Sequence, residues 1–230
     1  MNIAEKTLQL KQDFDEVFEA GKKAEQDTFW DTFQKNDTRQ DYQNGFYGWS
    51  NFKTIDTKYP VRTNTLYSTF TYCRELEVLP IVLLSNTATG FATCYCAFND
   101  CRKLKSVDFD IVNNNTASSA WDSTFNYCYE LKTIQKIVVL ESQVFKLSTF
   151  RGCGALENLT IEGTIGQNGF NVQWSTLLTY NSLMSIINAL KDYSADTSGT
   201  EWIVTIGSTN KAKLTDIELD IAQNKGWQVN

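Results

Sequence analysis

The stretch FTYCRELEVL at residues 70–79 contains the pattern that decides the fold, and three later stretches copy it. They are FNDCRKLKSV at 98–107, FNYCYELKTI at 125–134 and FRGCGALENL at 150–159. Their phenylalanines follow one another after 28, 27 and 25 residues. Self-similarity at such a period is typical of stacked repeats, in which one unit cannot bury its apolar face alone.

Each repeat has two parts with different spacing. The F-x-x-C-x-x-L part has the spacing of a short helix or helical turn, and the apolar residue that follows it starts a short strand. Strands of successive units would pair in parallel. The sequence therefore predicts an α/β fold, a short leucine-rich-repeat solenoid with a parallel sheet of short strands. The predicted core residues are Phe70, Cys73, Leu76, Phe98, Cys101, Leu104, Phe125, Cys128, Leu131, Phe150, Cys153 and Leu156.

Four of the six cysteines occupy one repeat position, where the chain turns towards the strand. A small apolar side chain suits that tight place, so we predict a buried, reduced set of thiols. A disulfide between neighbouring units stays an alternative. Cys94 and Cys96 form a C-x-C pair, but it lacks the second pair or histidine of a zinc site. We therefore predict no metal and no cofactor.

Composition and charge narrow the function classes. The chain of 230 residues has no histidine, which removes the commonest general base and metal ligand, so we predict no catalytic residues and no enzyme. Its net charge of −6 and the absence of a basic cluster disfavour nucleic acid as a partner. Neither a signal peptide nor a membrane-spanning segment is recognisable, so we expect a cytoplasmic protein after synthesis, with virion association as the alternative.

The repeat resembles the bacterial BspA-like leucine-rich repeats over residues 66–161. The stretches SLMSIINALKDYS at 182–194, KLTD at 213–216 and KGW at 225–227 are similar to the tails of repeat proteins from gut Firmicutes and their prophages. So are AGKKAE at 20–25 and FWD at 29–31. The resemblance implies a surface or virion-associated adhesive module, and it brings no catalytic residue with it.

The N-terminal part is predicted to contain two segments. Residues 1–35 read as a helix, in which Ile3, Thr7, Leu10, Phe14, Val17, Gly21 and Ala24 form a weak heptad seam. This helix either folds back as a cap or self-associates, with a trimer through residues 3–24 as the form that fits phage fibres. Residues 36–60 are rich in aromatics and are predicted to cap the repeats, although exposed aromatics there would also stack on sugar rings.

We assign the repeats to residues 61–165 and an α/β cap to residues 166–230. Leu183, Ile186 and Leu190 lie on one face of a helix predicted to end near Tyr193. A strand at 202–206, a helix opened by a capping box at 215–218 and a last strand at 227–229 follow, and we expect them to continue the sheet.

The function most consistent with this pattern is a non-enzymatic binding or adhesion module for a protein or a cell-surface glycan. A phage tail-associated receptor-binding protein is the alternative, and an enzyme is the third and weakest one. Outward positions of the repeats and the loops between them are the candidate surface. The candidate residues are Tyr72, Tyr95, Trp121, Tyr127, Tyr129 and Arg151.

Overall fold

The computed structural model describes residues 45–50, 53, 61–79, 82–84 and 89–230, which all belong to one structural unit. The predicted N-terminal helix with its seam over residues 3–24 lies outside the described residues, as does most of the aromatic segment 36–60. Within the described part the chain has a mixed α/β fold with small parallel sheets, which confirms the α/β part of the predicted fold class.

Strands in the described part form three parallel sheets. The central one contains β3 (Ser106–Val112), β4 (Thr133–Val139) and β5 (Asn158–Gly163) in that order. The first pair is β1 (Val61–Thr63) with β2 (Val82–Leu84), and the last is β6 (Trp202–Val204) with β7 (Trp227–Val229). The helices are α1 (Tyr180–Ala189), α2 (Ser208–Lys211) and α3 (Asp216–Asn224).

The register of the central sheet follows the repeat. Val107 pairs with Ile134, and Ile134 pairs with Leu159, so the last apolar position of the pattern is aligned across three units. All three side chains are buried. A shift of one residue would turn each of them to the other face of the sheet, so burial fixes this register.

The repeat phenylalanines form a column of parallel rings through the core. The centroids of Phe70 and Phe98 are 5.6 Å apart, those of Phe98 and Phe125 5.5 Å, and those of Phe125 and Phe150 5.6 Å. Phe46 adds a ring at the N-terminal end, 5.1 Å from Phe70 and nearly parallel to it. All five rings are fully buried. Phe46 thus lies in the aromatic segment but occupies the position of a repeat phenylalanine.

The F-x-x-C-x-x-L part is a pair of consecutive turns and not an α-helix. In the first unit the Cys73 amide donates to the Phe70 carbonyl at 3.1 Å, and the Leu76 amide donates to the Cys73 carbonyl at 3.2 Å. Three residues per turn place Phe, Cys and Leu on the same inward side. A residue with positive φ, such as Tyr72 at +62°, follows two positions after the phenylalanine and prevents a regular helix.

The cysteine position has a specific partner in the neighbouring unit. The Cys101 thiol donates to the Phe70 carbonyl at 2.9 Å, and the Cys128 thiol donates to the Phe98 carbonyl at 3.1 Å. Cys73 and Cys153 repeat this contact with Phe46 and Phe125. All six cysteines are free. A cysteine is therefore small enough for the turn and still supplies a weak donor to a buried carbonyl.

Helix α1 covers the open edge of the central sheet, which corrects the expectation that the C-terminal strands continue it. The Leu159 and Ile161 amides of β5 donate to the hydroxyls of Ser182 and Ser185 at 2.9 and 2.7 Å. Both hydroxyls in turn donate to backbone carbonyls of the β5 segment. Two serines thus replace a neighbouring strand and satisfy an edge that would otherwise be open to pairing.

The rest of the C-terminal cap contains the predicted helices and strands, but two of these elements end at other residues than predicted. Helix α1 ends at Ala189 instead of near Tyr193, because the Ile165 amide donates to the Ala189 carbonyl and draws the chain into extended pairing. Strand β6 is three residues long and, among the described strands, pairs with β7. The capping box at Thr215 is confirmed, with the Thr215 amide donating to Glu218 Oε2 at 2.7 Å.

Candidate binding surface

Three of the six predicted surface residues lie near one another on the turn side of the repeats, and a fourth lies on the same side. The rings of Tyr127 and Tyr129 are 5.9 Å apart, and the Arg151 guanidinium lies 5.4 Å from the centre of the Tyr127 ring. Tyr72 lies two units earlier at the same repeat position as Tyr127. Tyr129 is 48% exposed and Tyr72 is 37% exposed, so both rings remain available to a ligand.

Residues that the sequence reasoning missed connect these four into a continuous row. Tyr47 packs edge-on against Tyr72 at 5.4 Å, and Arg74 lies over the Tyr72 ring at 5.6 Å. Arg102 lies close enough to Tyr129 for its charge to interact with the phenol. Their repeat positions were a usable signal, since Arg74 and Arg102 directly follow the repeat cysteine, as Tyr129 does.

Asp100 joins the two halves of this row. Its carboxylate accepts a hydrogen bond from Arg74 Nε at 2.7 Å and another from Arg102 Nε at 2.7 Å. Burial raises the pKa of the Asp100 carboxyl, but the two arginines outweigh that effect and hold the pKa below its ordinary value. The carboxylate thus fixes two half-exposed arginines in place. Arg102 Nη2 makes a longer contact with the same carboxylate at 3.4 Å, and the other N–H groups of the two guanidinium groups have no partner among the described residues.

We call this row the Tyr–Arg stripe. It carries three arginines and one aspartate, so its net charge is +2, whereas the whole chain carries −6. Several tyrosine hydroxyls of the stripe, those of Tyr72, Tyr127 and Tyr129, have no hydrogen bond within the described part of the chain. The stripe consists of Tyr47, Tyr72, Arg74, Asp100, Arg102, Tyr127, Tyr129 and Arg151.

The strand side of the repeats is electrostatically different. Lys136 Nζ lies between Asp110 and Glu162, at 2.7 and 2.9 Å from their carboxylate oxygens. Asp110 also accepts a hydrogen bond from Gln135. Asp110 is exposed on the sheet, as is Asp108, so the outer side of the sheet is polar. Because these charges neutralise one another, this side offers a ligand fewer unsatisfied groups than the stripe does.

Two predicted surface residues lie elsewhere. Trp121 is fully buried, so its prediction as a surface residue was wrong. Its ring stacks on Phe145 at 5.1 Å, and its Nε1 donates to Gln143 Oε1 at 3.0 Å, which satisfies the polar end of the indole. Tyr95 is half-buried and stacks on Tyr67 at 5.1 Å, three positions before the repeat phenylalanine Phe98 and outside the stripe.

Two stripe tyrosines occupy a backbone conformation that disfavours them. Tyr72 and Tyr127 have φ angles of +62° and +61°, and Asp100 has +60° at the same repeat position. Gly152 fills this position in the fourth copy of the repeat, with φ +81°. A side chain in the left-handed region costs roughly 1–2 kcal/mol relative to ordinary backbone. Glycine would fit without that cost, so the tyrosines are present despite strain.

A second aromatic cluster, in the C-terminal cap, is internally satisfied. Tyr193 and Trp202 stack in parallel with centroids 3.9 Å apart, and Trp227 lies against both. Their polar atoms have partners: the Tyr193 hydroxyl donates to the Gly166 carbonyl and Trp202 Nε1 donates to Asp196 Oδ2, both at 2.7 Å. This cluster holds the cap together and leaves no polar tip for a ligand.

The buried thiols are unsuited to chemistry. Burial raises the pKa of Cys73 and of Cys153 to about 12, so both thiols stay protonated at neutral pH. Within the ranges that the structure describes, no group of three or more histidine, cysteine, aspartate or glutamate side chains is placed to hold a metal ion. In the same ranges, no helix is both long and apolar enough to cross a membrane.

Comparison with protein-family models, with curated proteins and with solved structures gives no match for this chain.

Proposed function

We propose that this protein is a non-enzymatic binding module, built as a short leucine-rich-repeat solenoid, that holds a protein or glycan ligand on the Tyr–Arg stripe. The solenoid interpretation is supported by the aligned strands of three units, by the column of phenylalanine rings and by the thiol contact that links each unit to the one before. Each unit thus buries its core against its neighbours, as solenoid repeats do.

The observation that carries the proposal is the continuity of the stripe across successive units. Tyrosine and arginine are the side chains most often found at the energetic centres of interfaces, because they combine a large apolar area with polar groups. Here arginines lie over tyrosine rings, and Asp100 fixes two of the arginines. A surface held in place in this way loses little side-chain entropy when a ligand binds.

The strain at Tyr72 and Tyr127 gives independent support. The same positive φ occurs outside the stripe at Ser68, Cys96 and Ser123, so the turns impose the conformation and the choice of residue is the informative feature. Gly152 occupies the same repeat position at lower cost, so the fold itself does not require a tyrosine there. A binding role gives these side chains a reason to be present.

The proposal is tested by arraying the full chain against glycans and against bacterial surface proteins. The test variant carries Tyr47→Ala and Tyr129→Ala, and the matched control is Tyr180→Ala on helix α1. Tyr180 is 49% exposed, like Tyr47 at 49%, and lies outside the stripe. Circular dichroism melting checks that both variants fold.

We expect the double variant to bind the detected ligand at least about tenfold more weakly, which corresponds to about 1.4 kcal/mol. The Tyr180→Ala variant should bind like the wild type. Equal binding by the wild type and the double variant would contradict the proposal. So would a chain that binds none of the arrayed glycans and proteins.

A further inference from the structure

We infer that the ligand of the Tyr–Arg stripe is a linear polysaccharide that carries carboxylate groups. This inference rests on the proposed function and specifies its ligand class. It is carried by the order of groups along the stripe, in which open aromatic rings alternate with arginines, and by the positive charge of the stripe on an acidic protein.

The first argument is charge. The stripe has a net charge of +2 from three arginines and one aspartate, on a chain of −6. Screening limits the reach of exposed charges to about 8 Å at physiological salt, so a ligand on the stripe mainly meets the stripe's own charges. Guanidinium groups bind carboxylates with two parallel hydrogen bonds. The stripe therefore favours an anionic ligand over a neutral one.

The second argument is the pair of open rings. Tyr47 and Tyr129 are each about half exposed, and no arginine of the described chain lies over either ring. The C–H face of a pyranose packs well on such a ring, because apolar C–H groups meet the negative face of the aromatic system. Arg74 and Arg102 lie between the two rings in the order of the units, because Arg74 contacts Tyr72 beside Tyr47, Asp100 joins the two arginines, and Arg102 lies near Tyr129.

The third argument is the linear layout. The stripe runs from the unit of Phe46 to the unit of Phe150, and each step advances 5.1–5.6 Å along the phenylalanine column. That step is close to the length of one sugar in an extended chain. An extended polysaccharide lying along the stripe would therefore contact one side chain of the stripe with every one or two of its sugars.

The backbone on this side argues against an extended peptide. The Tyr72 amide donates to the Asn99 carbonyl at 2.8 Å, and the Tyr127 amide donates to the Arg151 carbonyl at 2.7 Å. These amides are already bonded between units, so the stripe offers no free strand edge for a peptide to join. Recognition here depends on side chains, which suits a sugar chain with its own hydroxyls and carboxylates.

The probe is polygalacturonate, with dextran as the neutral polysaccharide and poly-glutamate as the anionic peptide. Binding of the full chain is measured by biolayer interferometry at two salt concentrations. The charge variant is Arg151→Gln, and its control is Lys136→Gln, which removes one positive charge from the strand side. Tyr129→Ala tests the ring, with Tyr180→Ala as its control.

We expect polygalacturonate to bind, and dextran and poly-glutamate to bind at least tenfold more weakly. Arg151→Gln and Tyr129→Ala should each weaken polygalacturonate binding about fivefold, and Arg151→Gln should also reduce its salt dependence. Lys136→Gln and Tyr180→Ala should leave it unchanged.

Three results would overturn the inference. They are no binding of polygalacturonate, equal binding of poly-glutamate, and equal losses from Arg151→Gln and Lys136→Gln. If polygalacturonate fails while another ligand is lost in the Tyr47→Ala/Tyr129→Ala double variant, only the ligand class is wrong. If the double variant retains every interaction of the wild type, the proposed function is wrong as well.

Discussion

Replacing Phe125 by leucine measures what ring stacking contributes to the stability of the repeats. Phe125 is fully buried and stacks on Phe98 at 5.5 Å and on Phe150 at 5.6 Å, with interplanar angles of 9° and 12°. Each such pair contributes about 0.5–1.5 kcal/mol beyond burial of area, so two pairs contribute about 1–3 kcal/mol. The smaller leucine leaves a cavity that adds about 0.5 kcal/mol.

Phe91 is the matched control. It is buried like Phe125, but its aromatic neighbour in the described chain is Phe109, edge-on at 6.3 Å. Phe91→Leu should therefore cost about 1–2 kcal/mol, and Phe125→Leu about 1.5–3.5 kcal/mol, out of a total of about 5–15 kcal/mol for a domain. Both losses are large enough to measure.

The assay is urea unfolding followed by tryptophan fluorescence and circular dichroism. The midpoint and the slope are fitted together, because an unchanged slope shows that only stability has changed. If Phe125→Leu costs no more than Phe91→Leu, the parallel column of rings adds nothing beyond burial. That result would refute the stacking argument.

Four further outcomes follow from buried groups and backbone strain. Cys128→Ser should destabilise the fold by about 2 kcal/mol, because the shorter C–O bond lengthens the contact with the Phe98 carbonyl and a hydroxyl costs more to bury than a thiol. Ser175→Ala should stabilise it by up to about 1 kcal/mol, because Ser175 Oγ is buried without a hydrogen bond in the described chain. Because the pKa of Asp100 is lowered in the fold, its contribution is complete above its unfolded pKa. It is lost as the pH falls from the ordinary aspartate pKa of about 4 towards the lower pKa of the folded state, so Asp100→Asn should flatten the acid side of the stability profile. Tyr127→Gly should be more stable than Tyr127→Ala by about 1 kcal/mol, the reverse of the usual order, because position 127 has a positive φ.

Urea unfolding at several pH values checks all four outcomes. If the Cys128→Ser variant is as stable as the wild type, the thiol contact does not stabilise the repeat. A less stable Ser175→Ala would show that the hydroxyl has a partner. An Asp100→Asn profile parallel to the wild type would mean that the two arginines do not stabilise its charge in the fold. If the Tyr127→Ala and Tyr127→Gly variants are equally stable, the backbone at position 127 is not strained.

The buried side chains of the repeat were predictable from the sequence because the same residue types are needed at the same position of each unit. Phenylalanine, cysteine and leucine return at a near-constant period, and each meets its equivalent in the next unit. The capping box at Thr215 was predictable for a related reason, since its partners lie within one helical turn. Phe46 escaped the pattern because Trp49 stands where the other units have cysteine.

Features that depend on distant partners were not predictable. Trp121 stands in a connection between repeats, and only Phe145 and Gln143 in the next unit make it a core residue. The role of Ser182 and Ser185 depends on the position of β5, more than 20 residues earlier in the chain. Likewise, Arg74 and Arg102 become part of one surface only through Asp100, which lies between them in space.

The repeat separates positions that maintain the fold from positions that are free to bind. The residue two places after each phenylalanine must adopt positive φ to end the turn, and its side chain points away from the core at Tyr72 and is half-buried at Tyr127. Glycine meets that backbone requirement best, as Gly152 does. Tyrosine at two units meets that requirement at a higher cost, and its ring contacts are with other residues of the stripe, Tyr47 at Tyr72 and Tyr129 and Arg151 at Tyr127. The strain is therefore best explained by the surface that these tyrosines help to form, and that surface lies on the turn side of the repeats instead of on the sheet.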